Sequence, residues 1–196
     1  MRRGLVPGIL RAARIGVGEM NKPKQRIVLT GFMAAGKTTV ARALAHYLDC
    51  RMVDLDGLIQ ESEKRSIASF IREEGEESFR VAETFMLRLT LERATGCVIA
   101  LGGGAWMLER NRALIREHHC LTVWLNAPFE LCWKRIAQEK ELRPLALDRE
   151  NAHRLYRERQ PLYELAELHI QATEDRTAVE LALEIANNIR VTDEQA

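Results

Sequence analysis

The residues best suited to chemistry form one short run, Gly31-Phe32-Met33-Ala34-Ala35-Gly36-Lys37-Thr38, which fits the phosphate-loop pattern G-x-x-x-x-G-K-[ST]. In such a loop the backbone N–H groups and the N-terminus of the following helix point into one concavity, and both favour anionic oxygens. Lys37 can reach β- and γ-phosphates, and the Thr38 hydroxyl can ligate Mg²⁺. Ala34 stands where many such loops carry a further glycine, so a positive φ there would strain it. A second candidate follows at Arg51-Met52-Val53-Asp54-Leu55-Asp56, a short apolar stretch ending in two carboxylates. If the segment stays extended, Asp54 and Asp56 point to the same side. A phosphate-bound Mg²⁺ needs a carboxylate partner, which gives the pair a function. The alternative is that Asp56 caps a helix beginning at Gly57.

Further along, Arg80 and Glu83 are three residues apart on a helical pattern and are therefore neighbours. Taken alone they read as an exposed surface ion pair. Gly102-Gly103-Gly104 closes an apolar run and lets backbone approach a ligand closely, with N–H donors available. Glu139 to Asn151 is polar and charged and contains Arg143-Pro144; it reads as a mobile lid or as an ordinary solvated loop. His118-His119 sits at a helix C-terminus, which favours it electrostatically, with metal binding as the alternative.

These groups need a frame. Apolar, strand-length runs fall near residues 26–30, 51–54, 97–101, 121–125 and 168–171, each followed by a helical pattern. Helices are expected from Thr39 onward, over 57–93 with a break at Gly75, from Met107 to Glu117, from Pro128 to about Lys140, over Asn151 to Arg159, and from Thr177 to Arg190. Strands alternating with helices define an α/β fold with a three-layer, doubly wound, five-stranded parallel sheet. In that architecture ligands sit beyond the carboxyl ends of the strands, where the phosphate loop, Asp54 and the glycine triplet all fall.

Composition sets outer bounds. A chain of 196 residues suits one domain with a full core, expected over 25–192. The net charge of +1 provides no field for nucleic acid or membrane, and no apolar run approaches a membrane span. Cys50, Cys97, Cys120 and Cys132 lack C-x-x-C spacing and read as free thiols of a reducing cytoplasm rather than disulfides or a metal site. Residues 1–24 are basic and rich in glycine and proline, without the apolar stretch a secretory signal needs. They are expected to be a disordered extension, with a targeting segment or an upstream start ahead of Met20 as alternatives.

Taken together, these motifs resemble the shikimate kinases over about residues 25–190. The resemblance rests on the phosphate loop through Thr39, Asp54-Leu55-Asp56, Ser66-Ile67 through Glu76, Phe79-Arg80-x-x-Glu83, Gly102-Gly103-Gly104-Ala105, Arg143-Pro144-Leu145 and Arg159-Gln160-Pro161-Leu162-Tyr163. The departures are Ala34 and the unmatched N-terminus. The family implies a P-loop NTPase fold like that of nucleoside monophosphate kinases. It also implies ATP and Mg²⁺ as cofactors, and phosphorylation of the shikimate 3-hydroxyl for aromatic amino-acid synthesis.

Roles then carry over by position. Gly31, Ala34, Ala35, Gly36, Lys37, Thr38 and Thr39 would hold the nucleotide phosphates, and Arg135 would stack on adenine. Thr38 and Asp54 would organise Mg²⁺. Asp56 would accept from the substrate hydroxyls and act as base. Arg80 and Arg159 would clamp the shikimate carboxylate, with Glu83 orienting Arg80. Gly102, Gly103 and Gly104 would meet the ring hydroxyls, and Arg143 would swing with the lid onto the transferring phosphoryl. The expected protein is a cytoplasmic monomer whose partner is shikimate, with neither nucleic acid nor membrane. The rivals are a gluconate or nucleoside monophosphate kinase and a catalytically silent binding protein. A GTPase lacks its N-K-x-D motif here.

Overall fold

The computed structural model describes residues 26–93, 97–138 and 148–194. The expected extension, most of the expected lid and Arg143 lie outside these residues. The sheet is built from β1 (Ile27–Thr30), β2 (Arg51–Asp54), β3 (Cys97–Ala100), β4 (Leu121–Asn126) and β5 (Leu168–Gln171). Neighbouring strands pair parallel, in the order β2-β3-β1-β4-β5. The burial of each strand follows from its place in that order. Central β1 and β3 are buried at every residue, whereas edge strand β5 buries only Ile170. This is why the central strands are continuous apolar runs while the edges carry polar residues.

Helices cover both faces. They are α1 (Lys37–Tyr47), α2 (Leu55–Glu63), α3 (Ile67–Arg93), α4 (Glu109–Glu117), α5 (Phe129–Gln138), α6 (Arg149–Tyr163) and α7 (Ala178–Glu194). In α1 the buried residues Val40, Ala41, Leu44 and Ala45 recur at helical spacing, and α1 packs against α7, which buries Leu181, Ala182, Ile185 and Ala186 at the same spacing. The break expected at Gly75 is a kink inside α3, where φ is 85° and ψ is 161°, a conformation available to glycine. The helix expected from Met107 instead starts at Glu109, because Ala105–Met107 forms a separate 3₁₀ turn. The helix expected to end at Arg159 continues through Pro161 to Tyr163.

All four cysteines are free thiols; Cys97, Cys120 and Cys132 are buried and Cys50 is half-buried. Among the described residues no helix is long and apolar enough to cross a membrane.

Candidate active site

A cavity of about 660 Å³ opens at the carboxyl ends of the strands. Its floor is the loop between β1 and α1. Gly36 has φ 99° and precedes α1 directly, so the helix N-terminus faces the cavity. Ala34 has φ 58°, the left-handed conformation in which an alanine is strained, by roughly 1–2 kcal/mol. Gly31 has another reason to be glycine: a Cβ there would lie 2.6 Å from the Leu125 carbonyl oxygen of β4, and Gly31 does not line the cavity. Lys37 is nearly buried, and its Nζ donates to the Phe32 carbonyl at 2.8 Å, which folds the ammonium back over the loop.

The two carboxylates converge by a route other than strand alternation. The chain does not stay extended: β2 ends at Asp54 and α2 begins at Leu55. Asp54, not Asp56, caps that helix, accepting from the Gly57 amide at 3.3 Å. Its other oxygen accepts from the Thr38 hydroxyl at 2.9 Å, which ties α2 to the phosphate loop. Thr38 and Asp54 thus bring two hard oxygen donors together on the cavity wall. That set suits Mg²⁺, which takes one or two protein ligands and completes its shell with water and phosphate. Asp56 lies in the first turn of α2 and also lines the cavity. A Cβ on Gly102 would collide with Asp56 Oδ1, so glycine at 102 makes room for this carboxylate.

The loop after β3 joins the two halves of the site. Gly103 lines the cavity, packed against Met33, and its carbonyl accepts from Arg159 Nη1 at 3.0 Å and from the Tyr163 hydroxyl at 2.7 Å. Asn111 donates to the Ala105 carbonyl at 2.9 Å, and Arg112 to the Trp106 carbonyl at 2.6 Å. Donors from α4 and α6 therefore hold the loop's shape. A Cβ on Gly104 would lie 2.5 Å from Arg80 Nη2, so the guanidinium rests against bare backbone.

Arg80 and Glu83 are not the exposed pair that their spacing alone suggested. Arg80 Nη1 donates to both oxygens of Glu83, at 3.0 and 2.9 Å, and the Glu83 side chain is only 1% exposed. Burial pushes the Glu83 carboxyl up to about 7; Arg80 opposes this, and the nearby Asp56 charge adds to it. Burial works against the Arg80 charge, but Glu83 and Glu76 together outweigh it, and the guanidinium is held above its ordinary value. Arg159, also nearly buried, lies close enough to act on Glu83. Two cations and two carboxylates, Arg80, Arg159, Asp56 and Glu83, thus gather around the glycine loop.

The far end of the cavity was only partly legible in the sequence. Arg135 lines it and donates to the Ala34 carbonyl at 3.0 Å. Facing residues come from the turn after β5: Ala172, Thr173 and Arg176, with Ala178 and Leu181 of α7. Sequence reasoning missed all of them. The signal was present, because the rule that placed the other loops at the carboxyl ends of strands applies equally to β5. Arg176 is held there by the Gln171 carbonyl at 2.9 Å and by Glu184. Among the described residues no three His, Cys, Asp or Glu side chains gather as a metal cluster, the His118-His119 pair included.

A parallel sheet in this order, with a phosphate loop after its central strand and a carboxylate and glycine loop beside it, defines a P-loop kinase of small substrates. The shikimate kinase family model matches residues 33–190. The shikimate kinase of Cereibacter sphaeroides is 38% identical over 158 residues, covering 79% of this chain and 78% of that one. That of Nostoc punctiforme is 37% identical over 169 residues, covering 83% and 91%. Among solved structures, the shikimate kinase of Acinetobacter baumannii in complex with shikimate superposes with a TM-score of 0.81 at 34% identity, covering 87% of this chain and 96% of that one. The chain belongs to the shikimate kinase family.

Proposed function

We propose that the chain transfers the γ-phosphoryl group of ATP to the 3-hydroxyl of shikimate, with Mg²⁺ as its metal, in the synthesis of aromatic amino acids. The observation that carries this reading is a convergence on the loop after β3. The phosphate loop, Asp56 seated against Gly102, and Arg80 seated against Gly104 meet around a single loop. Phosphoryl transfer asks for positioning and charge stabilisation rather than covalent help from the protein. Lys37 and the loop amides hold the β- and γ-phosphates, and Arg135 covers the adenine, with Arg176 lining the same cavity. Thr38 and Asp54 hold the metal, which neutralises phosphate charge when bound. Asp56 receives the proton of the 3-hydroxyl as that oxygen bonds to the γ-phosphorus and the bond to ADP breaks. Arg80 and Arg159 take the substrate carboxylate, with Glu83 orienting Arg80, and the backbone at Gly102 to Gly104 meets the ring hydroxyls. Arg143 belongs to this reading as the lid arginine that reaches the transferring group, within a lid over 139–151. A cytoplasmic monomer acting on the free acid, without nucleic acid or membrane, completes it; the near-neutral net charge of +1 supports only the lack of a nucleic-acid or membrane partner.

A coupled ADP-release assay tests the reading. Shikimate should stimulate release strongly with Mg-ATP, whereas gluconate and AMP should not. Equal or greater turnover with gluconate would overturn it, since gluconate offers the same carboxylate and hydroxyl chemistry.

A further inference from the structure

Arg80 carries two carboxylates, and they are not equivalent. Glu83 holds Nη1 from a buried position with both oxygens. The opposite edge, Nε and Nη2, donates at 3.2 and 2.9 Å to a single oxygen of Glu76, whose side chain is 46% exposed. The Nε–Nη2 edge is one of the faces on which a guanidinium takes a carboxylate bidentately. Glu76 therefore occupies, with the same chemical group, a place that an incoming carboxylate would use. We propose that Glu76 is an internal competitor of the substrate: it holds this edge in the free enzyme and yields it to the substrate carboxylate. The inference rests on the reading above, in which Arg80 receives that carboxylate.

The surroundings make Glu76 the partner that leaves. Removing Glu83 from Arg80 would strand a buried charge, which is strongly unfavourable. Glu76 instead returns to water, and an exposed ion pair of this kind holds weakly. It follows Gly75, whose φ of 85° interrupts α3 and around which a Cβ would meet nothing within 4 Å. The competitor thus sits at the open start of the second half of the helix.

Arg80 keeps its aim without Glu76. Glu83 grips it with two oxygens, and its guanidinium carbon lies 5.1 Å from the centre of the Phe79 ring. Its backbone carbonyl accepts from the Thr84 hydroxyl at 2.9 Å and from Arg110 of α4 at 3.3 Å. Glu76 adds a negative charge beside a site for a negative ligand, while the orienting contacts lie elsewhere.

The test is titration calorimetry on the full chain with two ligands, shikimate and its uncharged methyl ester, and with the variants Glu76→Gln, Glu76→Ala and Arg80→Met. Both Glu76 variants should bind shikimate roughly two- to fivefold more tightly, the span expected for loss of a partly exposed ion pair. Neither should change affinity for the ester. Weaker binding of shikimate would make Glu76 a positioning group and overturn the proposal, as would unchanged binding or an equal shift for acid and ester. Arg80→Met separates the two levels. If it leaves shikimate affinity intact, the assignment of Arg80 to the carboxylate fails, whatever the Glu76 variants do. If it weakens binding while the Glu76 variants do not tighten it, only the competition fails.

Discussion

Asp54 and Asp56 stand two residues apart and occupy different chemical positions because the backbone changes between them. Asp54 closes β2, caps α2 and receives the Thr38 hydroxyl; Asp56 sits one step inside the helix, against Gly102. Their substitutions should therefore separate. Asparagine caps a helix as well as aspartate does, so Asp54→Asn should keep its stability. A neutral amide holds a hard cation poorly, and this variant should need more Mg²⁺ for half-maximal rate. Asp56→Asn should bind ATP normally yet lose turnover by about a hundredfold or more, the usual contribution of a positioned base. Titrating Mg²⁺ and shikimate against each variant checks this, and identical phenotypes would refute the division of labour. Ala34 shows that a residue can depart from the usual type and still adopt the conformation the loop requires, at the cost of local strain.

At the scale of elements, the loop after β3 carries the most information. Its carbonyls at Gly103, Ala105 and Trp106 are each taken by a side chain from α4 or α6, so its shape is set jointly by the helix that follows it and by one more than fifty residues away. Two of its glycines exist for their neighbours' sake, Gly102 for Asp56 and Gly104 for Arg80. Gly102→Ala should displace the Asp56 carboxylate, because the new Cβ would also lie 3.1 Å from Asp56 Cγ. Misplacing a catalytic group by about 1 Å can cost on the order of a hundredfold in rate. We expect a loss of turnover of at least about tenfold, taking a cautious share of that figure, with ATP affinity unchanged. Steady-state kinetics on the variant checks it; near-normal kcat would mean that Asp56 moves freely and is not held in place by this loop.

At the scale of the whole molecule, a buried carboxylate couples the site to global stability. Folding lifts Glu83 from an ordinary 4.5 to about 7, burial being the main cause. Between those values the folded chain keeps a proton that the unfolded chain has released. The group's stabilising contribution is therefore complete below about pH 4.5 and is lost as pH rises through about 7. The melting temperature of the native chain should fall relative to Glu83→Gln between about pH 5 and about pH 8. Parallel melting curves for the two proteins across that range would show that Glu83 titrates normally.

Much of this protein is determined by the sequence acting locally. Strand and helix identities follow from the hydrophobic period, and all five strands lie where the apolar runs predict them. The phosphate loop is defined by residues that are chain neighbours, and the Gly75 break by one residue's backbone freedom. Tertiary structure decided the rest, because burial and convergence depend on which elements pack together. A helical spacing of three makes Arg80 and Glu83 neighbours, but only the packing of α3 beside the glycine loop buries the pair. The separation of Asp54 from Asp56 depends on where β2 yields to α2, a boundary that alternation cannot read. Thr173 and Arg176 join the phosphate loop in one cavity because β5 and β1 flank β4 in a single parallel sheet, which brings loops more than a hundred residues apart to the same edge.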